Sequence, residues 1–253
     1  MGQNHRIKTT ETVFEIIETL VRLEVANLSE VAAAVEKPRS TVFDHLATLR
    51  ELGYVVKDQS NYRPSLQFLE LGGCIRFDRD IYHVARPELR KLTEETGEPA
   101  TLGVEENDYA VFLYSVEGEY TTRSTEFDGS HTWLHANALG KVLLAFQPES
   151  RVERLVNQYG LSASTENTIT DPSELYSELE SVRENGYATD IEEGKLGLNG
   201  VAMPVFCSDK EPVAAVSVYT GTSLTDIDDF VDRVIEPLQR TTSVIEVNHS
   251  FET

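Results

Sequence analysis

The sequence predicts an α+β protein in two parts, a small helical unit followed by a larger unit of strands and helices. Residues 1–65 carry helical apolar periodicity interrupted at Pro38, whereas from Ala100 onward short apolar runs alternate with helical stretches. The charge divides the same way. Residues 1–65 hold eight Lys/Arg against nine Asp/Glu, and the remaining residues hold 14 against 34. A chain of 253 residues is long enough for two units with cores of their own.

In the first part, Val13, Ile16, Ile17, Leu20 and Val21 have the spacing of one apolar helix face. "Asn27-Leu28-Ser29-Glu30" opens a second helix with Ser29 as its N-cap and Val31, Ala32 and Val35 inward. Pro38 ends that stretch, because proline cannot continue a helix and restricts the residue before it. A third helix is expected from about Arg39 to Leu52, with Val42, Phe43, Leu46 and Leu49 inward and Gly53 closing it. Residues 54–64 read as a short hairpin with a polar turn. Three helices with a tight break between the second and third, followed by a hairpin, make a winged helix-turn-helix. The outward face of the third helix carries Arg39, Ser40, Thr41, Asp44, His45 and Thr48, groups able to reach base edges or phosphates. Lys37 and, in the hairpin, Arg63 complete the candidate DNA-binding set. An ordinary solvated face in so acidic a chain would be rich in Asp and Glu; this one has only Asp44.

Residues 66–80 read as a linker. "LQFLELGG" (66–73) is expected to be a helix stopped by Gly72-Gly73, and its Leu66, Phe68, Leu69 and Leu71 suit either core packing or a dimer interface. A longer helix covers about Arg79 to Thr96, with Pro87 kinking it or starting its second part. The second domain is expected over 81–253. "TLGVEEN" and "YAVFLYSVEG" are strands joined at Asn107-Asp108, and "YTTRSTEF" (120–127) is a third. "HANALGKVLLAF" (135–146) and "PESRVERLVNQYG" (148–160) are helical. "DPSELYSELESVRENG" has Asp171 as N-cap, Pro172 at the first helical position and Gly186 just past the end. Strands "GYATDI", "GVAMPVF" and "PVAAVSVYTG" follow, then a terminal helix from about Asp226 to Glu246. Helices are expected on one side of the resulting sheet.

Composition bounds the function. The formal charge is −21, spread along the folded chain rather than gathered in an acidic tail, which suggests a high-salt cytoplasm. Only Cys74 and Cys207 occur, without CxxC spacing, so two buried thiols in a reducing interior are expected rather than a disulfide framework or a thiolate zinc site. No apolar run approaches a membrane span, and the first residues lack a signal-peptide core, so a cytoplasmic protein is expected. There is no P-loop, no GxGxxG after a strand and no GxSxG elbow. His131 and His135 are four apart, but Thr132 replaces the glutamate of HExxH, and structural histidines are expected instead. Asp190, Glu192 and Glu193 could serve as acid/base groups, although a solvated acidic loop is the default in this composition. No catalytic residue, metal site or cofactor is expected.

Five blocks in order carry a resemblance: "LSEVAAAVEKPRSTVFDHLATLRELGYV", "LRKLTEETGEPATLGV", "LHANALGKVLLA", "GYATDIEEGKLGLNGVAMPVF" and "PVAAVSVYTG". Over nearly its whole length the chain resembles IclR-type transcriptional regulators, here of haloarchaeal character. The resemblance implies a GAF-like second domain with an antiparallel sheet that binds a small effector. It also implies a homodimer or homotetramer on a palindromic double-stranded operator near catabolic genes, for sugars, pentoses, sugar acids, aromatic acids or short oxo acids. By position, it implies an effector pocket of Ala138, Leu139, Asp190, Gly200, Ser217 and Tyr219. Gly200 stands where some relatives have Cys, and Tyr219 where they have a second serine, so the pocket is reshaped. An enzyme with an appended DNA-binding module, an effector-independent architectural DNA binder and a protein-partner adaptor are the rival readings.

Overall fold

The computed structural model describes residues 7–119, 128–207 and 212–252. The chain divides into two compact units, Met1–Ile75 and Arg76–Thr253.

In the first unit, helices α1 (Lys8–Leu23), α2 (Leu28–Ala34) and α3 (Arg39–Glu51) pack with a three-stranded antiparallel sheet. Strands β2 (Val55–Asp58) and β3 (Asn61–Pro64) form the expected hairpin, and a two-residue strand β1 (Ala26–Asn27) joins on the other side of β3. The core is Ile16, Leu20, Val31, Val35, Val42, Leu46 and Leu49, with Val55 and Tyr62 from the hairpin. The inward face of α1 differs from the expected stripe. Thr12 and Thr19 complete it, whereas Val21, about 140° round the helix from Ile16, is 60% exposed. Phe43 is likewise exposed rather than inward, because one residue's rotation from Val42 takes it off the buried side. The N-cap of α2 is Asn27, not Ser29. Its Oδ1 accepts from the amides of Ser29 and Glu30, and Glu30 Oε2 accepts from the Asn27 amide, a complete capping box.

Helix α4 (Gln67–Phe77) runs straight through Gly72-Gly73. Neither glycine takes the left-handed conformation that terminates a helix, and mid-helix each costs only about 1 kcal/mol relative to alanine. None of the residues of α4 is buried, so Cys74 is exposed; Cys207 is half-buried, and the expectation of two buried thiols fails.

In the second unit, α5 (Asp80–Thr96) is continuous through Pro87. Strands β4 (Ala100–Glu106), β5 (Tyr109–Val116), β6 (His131–Trp133), β7 (Ala188–Ile191), β8 (Leu198–Phe206) and β9 (Pro212–Gly221) form one antiparallel sheet, ordered β6-β5-β4-β9-β8-β7. The strand expected at 120–127 lies outside the described residues. Helices α6 (Ala138–Ala145), α7 (Glu149–Tyr159) and α8 (Pro172–Asn185) occur where expected. Helix α8 has Asp171 capping Ser173 and Glu174 and a left-handed Gly186 at its end. Helix α9 (Ile227–Glu252) extends past its expected end.

The sheet is covered on both faces rather than one. Helices α5 and α9 pack on Ala100, Leu102, Val201, Val216 and Val218. Helices α6, α7 and α8 pack on Ala110, Phe112, Ala188, Ala202 and Ala215 of the opposite face. The reason is visible in β9, where Ala214, Val216 and Val218 alternate with Ala215 and Ser217 and all five are buried. A strand buried on both sides reads as a near-continuous apolar run.

Candidate DNA-binding and effector sites

Helix α3 is held by Val42, Leu46 and Leu49 against α1 and α2, which leaves its polar side to solvent. Arg39, Ser40, Asp44 and Thr48 are exposed, and Thr41 and His45 are half-buried on the same helix. The Thr48 hydroxyl donates to the Asp44 carbonyl at 2.9 Å. Pro38 precedes the helix without a side-chain cap, so the first amides of α3 are available to a phosphate oxygen. Arg63 is exposed on β3, with Nη1 donating to the Pro64 carbonyl. Lys37, at the turn before α3, pairs with Glu15 of α1, its Nζ 3.2 Å from Oε2 in a partly exposed ion pair that a phosphate could replace. Phe43 and Leu52, 49% and 60% exposed, are apolar members of this helix surface that periodicity did not place there.

In the second unit, strand register brings three of the expected pocket residues into one row. Asp190 on β7 lies opposite Gly200 on β8, which lies opposite Tyr219 on β9. A Cβ on Gly200 would stand 2.9 Å from Cδ1 and Cε1 of Tyr219 and 3.4 Å from the Asp190 Cβ. Two residues earlier on β9, Ser217 pairs with Ala202 on one side and Thr101 on the other. Its side chain is fully buried and Oγ has no hydrogen-bond partner. Beside it, Thr101 Oγ1 donates to Ser115 Oγ at 3.1 Å, extending a row of hydroxyls across β9, β4 and β5. Helix α6 crosses this face. Asn137 caps it by accepting from the Gly140 amide, and Ala138 and Leu139 are fully buried, Leu139 so close to β4 that a Cβ on Gly103 would collide with it.

Asp190 is buried and accepts from the amides of Glu193 and Gly194, at 2.7 and 3.3 Å, so one of its oxygens shapes the turn after β7. Burial, reinforced by the negative charge of Glu193, pushes its carboxyl up to about 7. Glu193 is raised by burial as well, with Lys141 opposing the shift. Lys141, 1% exposed, donates to Glu178 at 2.8 Å and Glu193 at 2.6 Å. Thr165 and Thr168 hydroxyls donate to the carbonyls of Glu192 and Glu193, fixing the same turn. Asp190 and Glu193 are therefore an ordered buried pair, not a solvated acidic loop, and half-buried Glu192 accepts from the Gly197 amide at 2.7 Å. Sequence reasoning missed Lys141. A lysine inside the otherwise apolar "ALGKVLLA" was the available clue, since no face of that helix is polar enough to solvate it.

The two spaced histidines do not converge. His131, on β6, sets its ring edge-on to Tyr109, whereas His135 is buried beyond the strand with Nε2 at 3.1 Å from the Ser162 carbonyl. Among the described residues no group of three or more His, Cys, Asp or Glu side chains is arranged for a metal, and no helix is long and apolar enough to cross a membrane.

Comparison with known proteins agrees with both units. Residues 11–59 match the IclR helix-turn-helix domain, and residues 77–247 match the C-terminal domain of bacterial transcriptional regulator IclR. The HTH-type transcriptional regulator KdgR of Escherichia coli (strain K12) is 31% identical over 218 residues, 85% of this chain and 83% of that protein. The probable HTH-type transcriptional regulator ArcR of Halobacterium salinarum is 28% identical, over 97% of this chain and 95% of that one. The crystal structure of Thermotoga maritima IclR superposes with a TM-score of 0.80 at 28% identity, covering 97% of this chain and all of that one. Fold, helix-turn-helix and the match over most of the chain agree: this protein belongs to the IclR family of DNA-binding transcriptional regulators, and is not an enzyme.

Proposed function

We propose that the chain is an operator-binding regulator of a catabolic operon, for a sugar, pentose or sugar acid, whose second unit takes up a small effector on the α6 face of its sheet. The observation that carries the effector reading is Ser217 Oγ, fully buried and unpartnered on the same face as the buried Asp190 carboxyl. A buried hydroxyl without a partner costs about 1–3 kcal/mol, which a bound polar ligand would return. Ala138, Leu139, Gly200 and Tyr219 are the remaining contacts of this reading. Residues 1–65 are its DNA-binding domain, 66–80 its linker and 81–253 its effector domain. Arg39 and Lys37 sit at phosphates or groove edges, Ser40, Thr41, Asp44, His45 and Thr48 face the bases, and Arg63 follows the backbone from the hairpin. Aromatic-acid catabolism is the second reading, favoured by the ring of Tyr219.

The operator complex requires a symmetric dimer. Leu66, Leu69, Leu71 and Ile75 of the linker segment are 74%, 71%, 45% and 64% exposed in the single chain, and Phe14 and Val21 of α1 are 56% and 60% exposed. A second copy is the natural cover for such faces, at about 1.5–3 kcal/mol for each large apolar side chain fully buried. Acidity concentrated outside the first unit, together with likeness to a Halobacterium regulator, supports a cytoplasm of high salt. There the Debye length is about 3 Å, and recognition rests on close contacts more than on bulk positive charge. The test is a mobility-shift titration of the operator with Arg39→Ala and with Ser217→Ala. The first is expected to weaken DNA binding; the second is expected to keep DNA binding and lose the metabolite response. Unchanged affinity in Arg39→Ala would remove α3 from the contact surface.

A further inference from the structure

We propose that Phe43 of α3 is a base-reading residue, and that it recognises the 5-methyl group of thymine in the major groove. This rests on the reading of α3 as the DNA-contacting helix and goes beyond it, since that reading contains no apolar contact. Phe43 is 49% exposed and belongs neither to the apolar core of the first unit nor to the side chains packed against it. Its neighbours on the helix define its surroundings. At about 100° per residue, Arg39, Phe43, Ala47 and Arg50 fall within about 80° of arc and make one stripe along α3. Arg39 and Arg50 are exposed, and Ala47 is half-buried. The acids of the helix, Asp44 and Glu51, stand about 100° beyond Phe43 and Arg50 respectively. In a chain of formal charge −21, this stripe carries a cation at each end, hydrocarbon between them and no carboxylate.

That pattern fits duplex DNA better than a protein partner. Arg39 and Arg50 are roughly 16 Å apart along the helix axis, at a rise of about 1.5 Å per residue. The major groove is about 12 Å wide, so the two guanidiniums reach phosphates at its rims while Phe43 and Ala47 face its floor. Of the four bases only thymine presents a methyl group there, and phenylalanine or alanine side chains are its apolar contacts. A contact between two copies through this stripe would instead set four guanidiniums together, with no carboxylate on the stripe to offset them. The opposite flank of α3 is poorer in free readers: Thr41 and His45 are half-buried, and the Thr48 hydroxyl donates to the Asp44 carbonyl.

The test uses the full-length protein and a pool of random-sequence DNA duplexes, from which the bound sequence is enriched. Each thymine of that duplex is then replaced in turn by uracil, which removes only the methyl group, and affinity is measured by mobility shift. The wild type is expected to lose about fourfold, the worth of one buried methyl, at one or two thymines of a half-site. Phe43→Ala should bind the thymine duplex correspondingly more weakly and show no penalty at those positions. Because a methyl contact releases no counterion, the thymine-to-uracil ratio should hold when KCl is raised about fivefold, while overall affinity falls. Arg39→Ala should weaken binding to both duplexes equally. Absence of any uracil penalty in the wild type overturns the methyl contact without recourse to a variant. A penalty of unchanged size in Phe43→Ala overturns Phe43 as its reader. A monomer from Phe43→Ala in sedimentation, where the wild type is a dimer, overturns it too and gives the ring to a second copy. Unchanged affinity in Arg39→Ala, or a pool that enriches no sequence, overturns the underlying α3 reading instead, and so separates the two failures.

Discussion

Replacing Asp190 by asparagine should stabilise the protein at alkaline pH and lose that advantage in acid. The side-chain oxygen of the amide still accepts from the Glu193 and Gly194 amides, so the turn is kept while the buried charge is removed. The wild-type carboxyl rises from an ordinary 3.8 to about 7, because burial and the Glu193 charge outweigh two amide hydrogen bonds and the positive charge of Lys141. Between these values the folded state holds a proton that the unfolded state has released, so wild-type stability falls as pH rises from about 4 to about 7. Above pH 7 the deficit is complete. About three units at roughly 1.4 kcal/mol each set a ceiling of about 4 kcal/mol, which relaxation and coupling to Glu193 reduce. In a unit of this size each kcal/mol moves the melting temperature by about 2–4 °C. Thermal unfolding of wild type and Asp190→Asn at pH 5 and pH 8.5 measures the effect. A melting-temperature gain of several degrees at pH 8.5 that shrinks at pH 5 is expected. A pH-independent difference, or a variant less stable at pH 8.5, would refute the claim that a desolvated charge is held there.

Two further substitutions probe other parts of the fold. Lys141→Met leaves Glu193 buried without its cation, while Glu193 Oε2 already has no partner; a loss of about 3–5 kcal/mol in urea unfolding is expected, and a loss under 1 kcal/mol would contradict the buried-pair account. Leu69→Asp with Ile75→Asp places two charges on the exposed apolar side of α4. Sedimentation is expected to give a dimer for the wild type and a monomer for the variant, and the same assembly for both would exclude α4 from the interface.

Local chemistry was legible. The Pro38 break, the Asn107-Asp108 turn and the cap-to-glycine frame of α8 each depend on residues within a few positions of one another, and the structure has all three. Where two local choices competed, the sequence reading took the wrong one. Ser29 and Asn27 both suit an N-cap, and Asn27 prevails because Glu30 then stands at the third helical position to return the bond. Phe43 satisfied an apolar count but not the rotation of the helix.

By itself, the sequence determined the helix-turn-helix with its hairpin, the order of β4, β5, α6, α7, α8, β7, β8, β9 and α9, though not β1 or β6, and the near-neutral charge of the first unit within an acidic chain. Only the tertiary structure decided that helices cover both sheet faces, that Lys141 lies between Glu178 and Glu193, and that Tyr219 rests on Gly200 beside Asp190. The physical reason is range. Caps and turns are closed by neighbours in the chain, whereas strand register and buried ion pairs join residues tens of positions apart, and nothing in their local sequence names the partner.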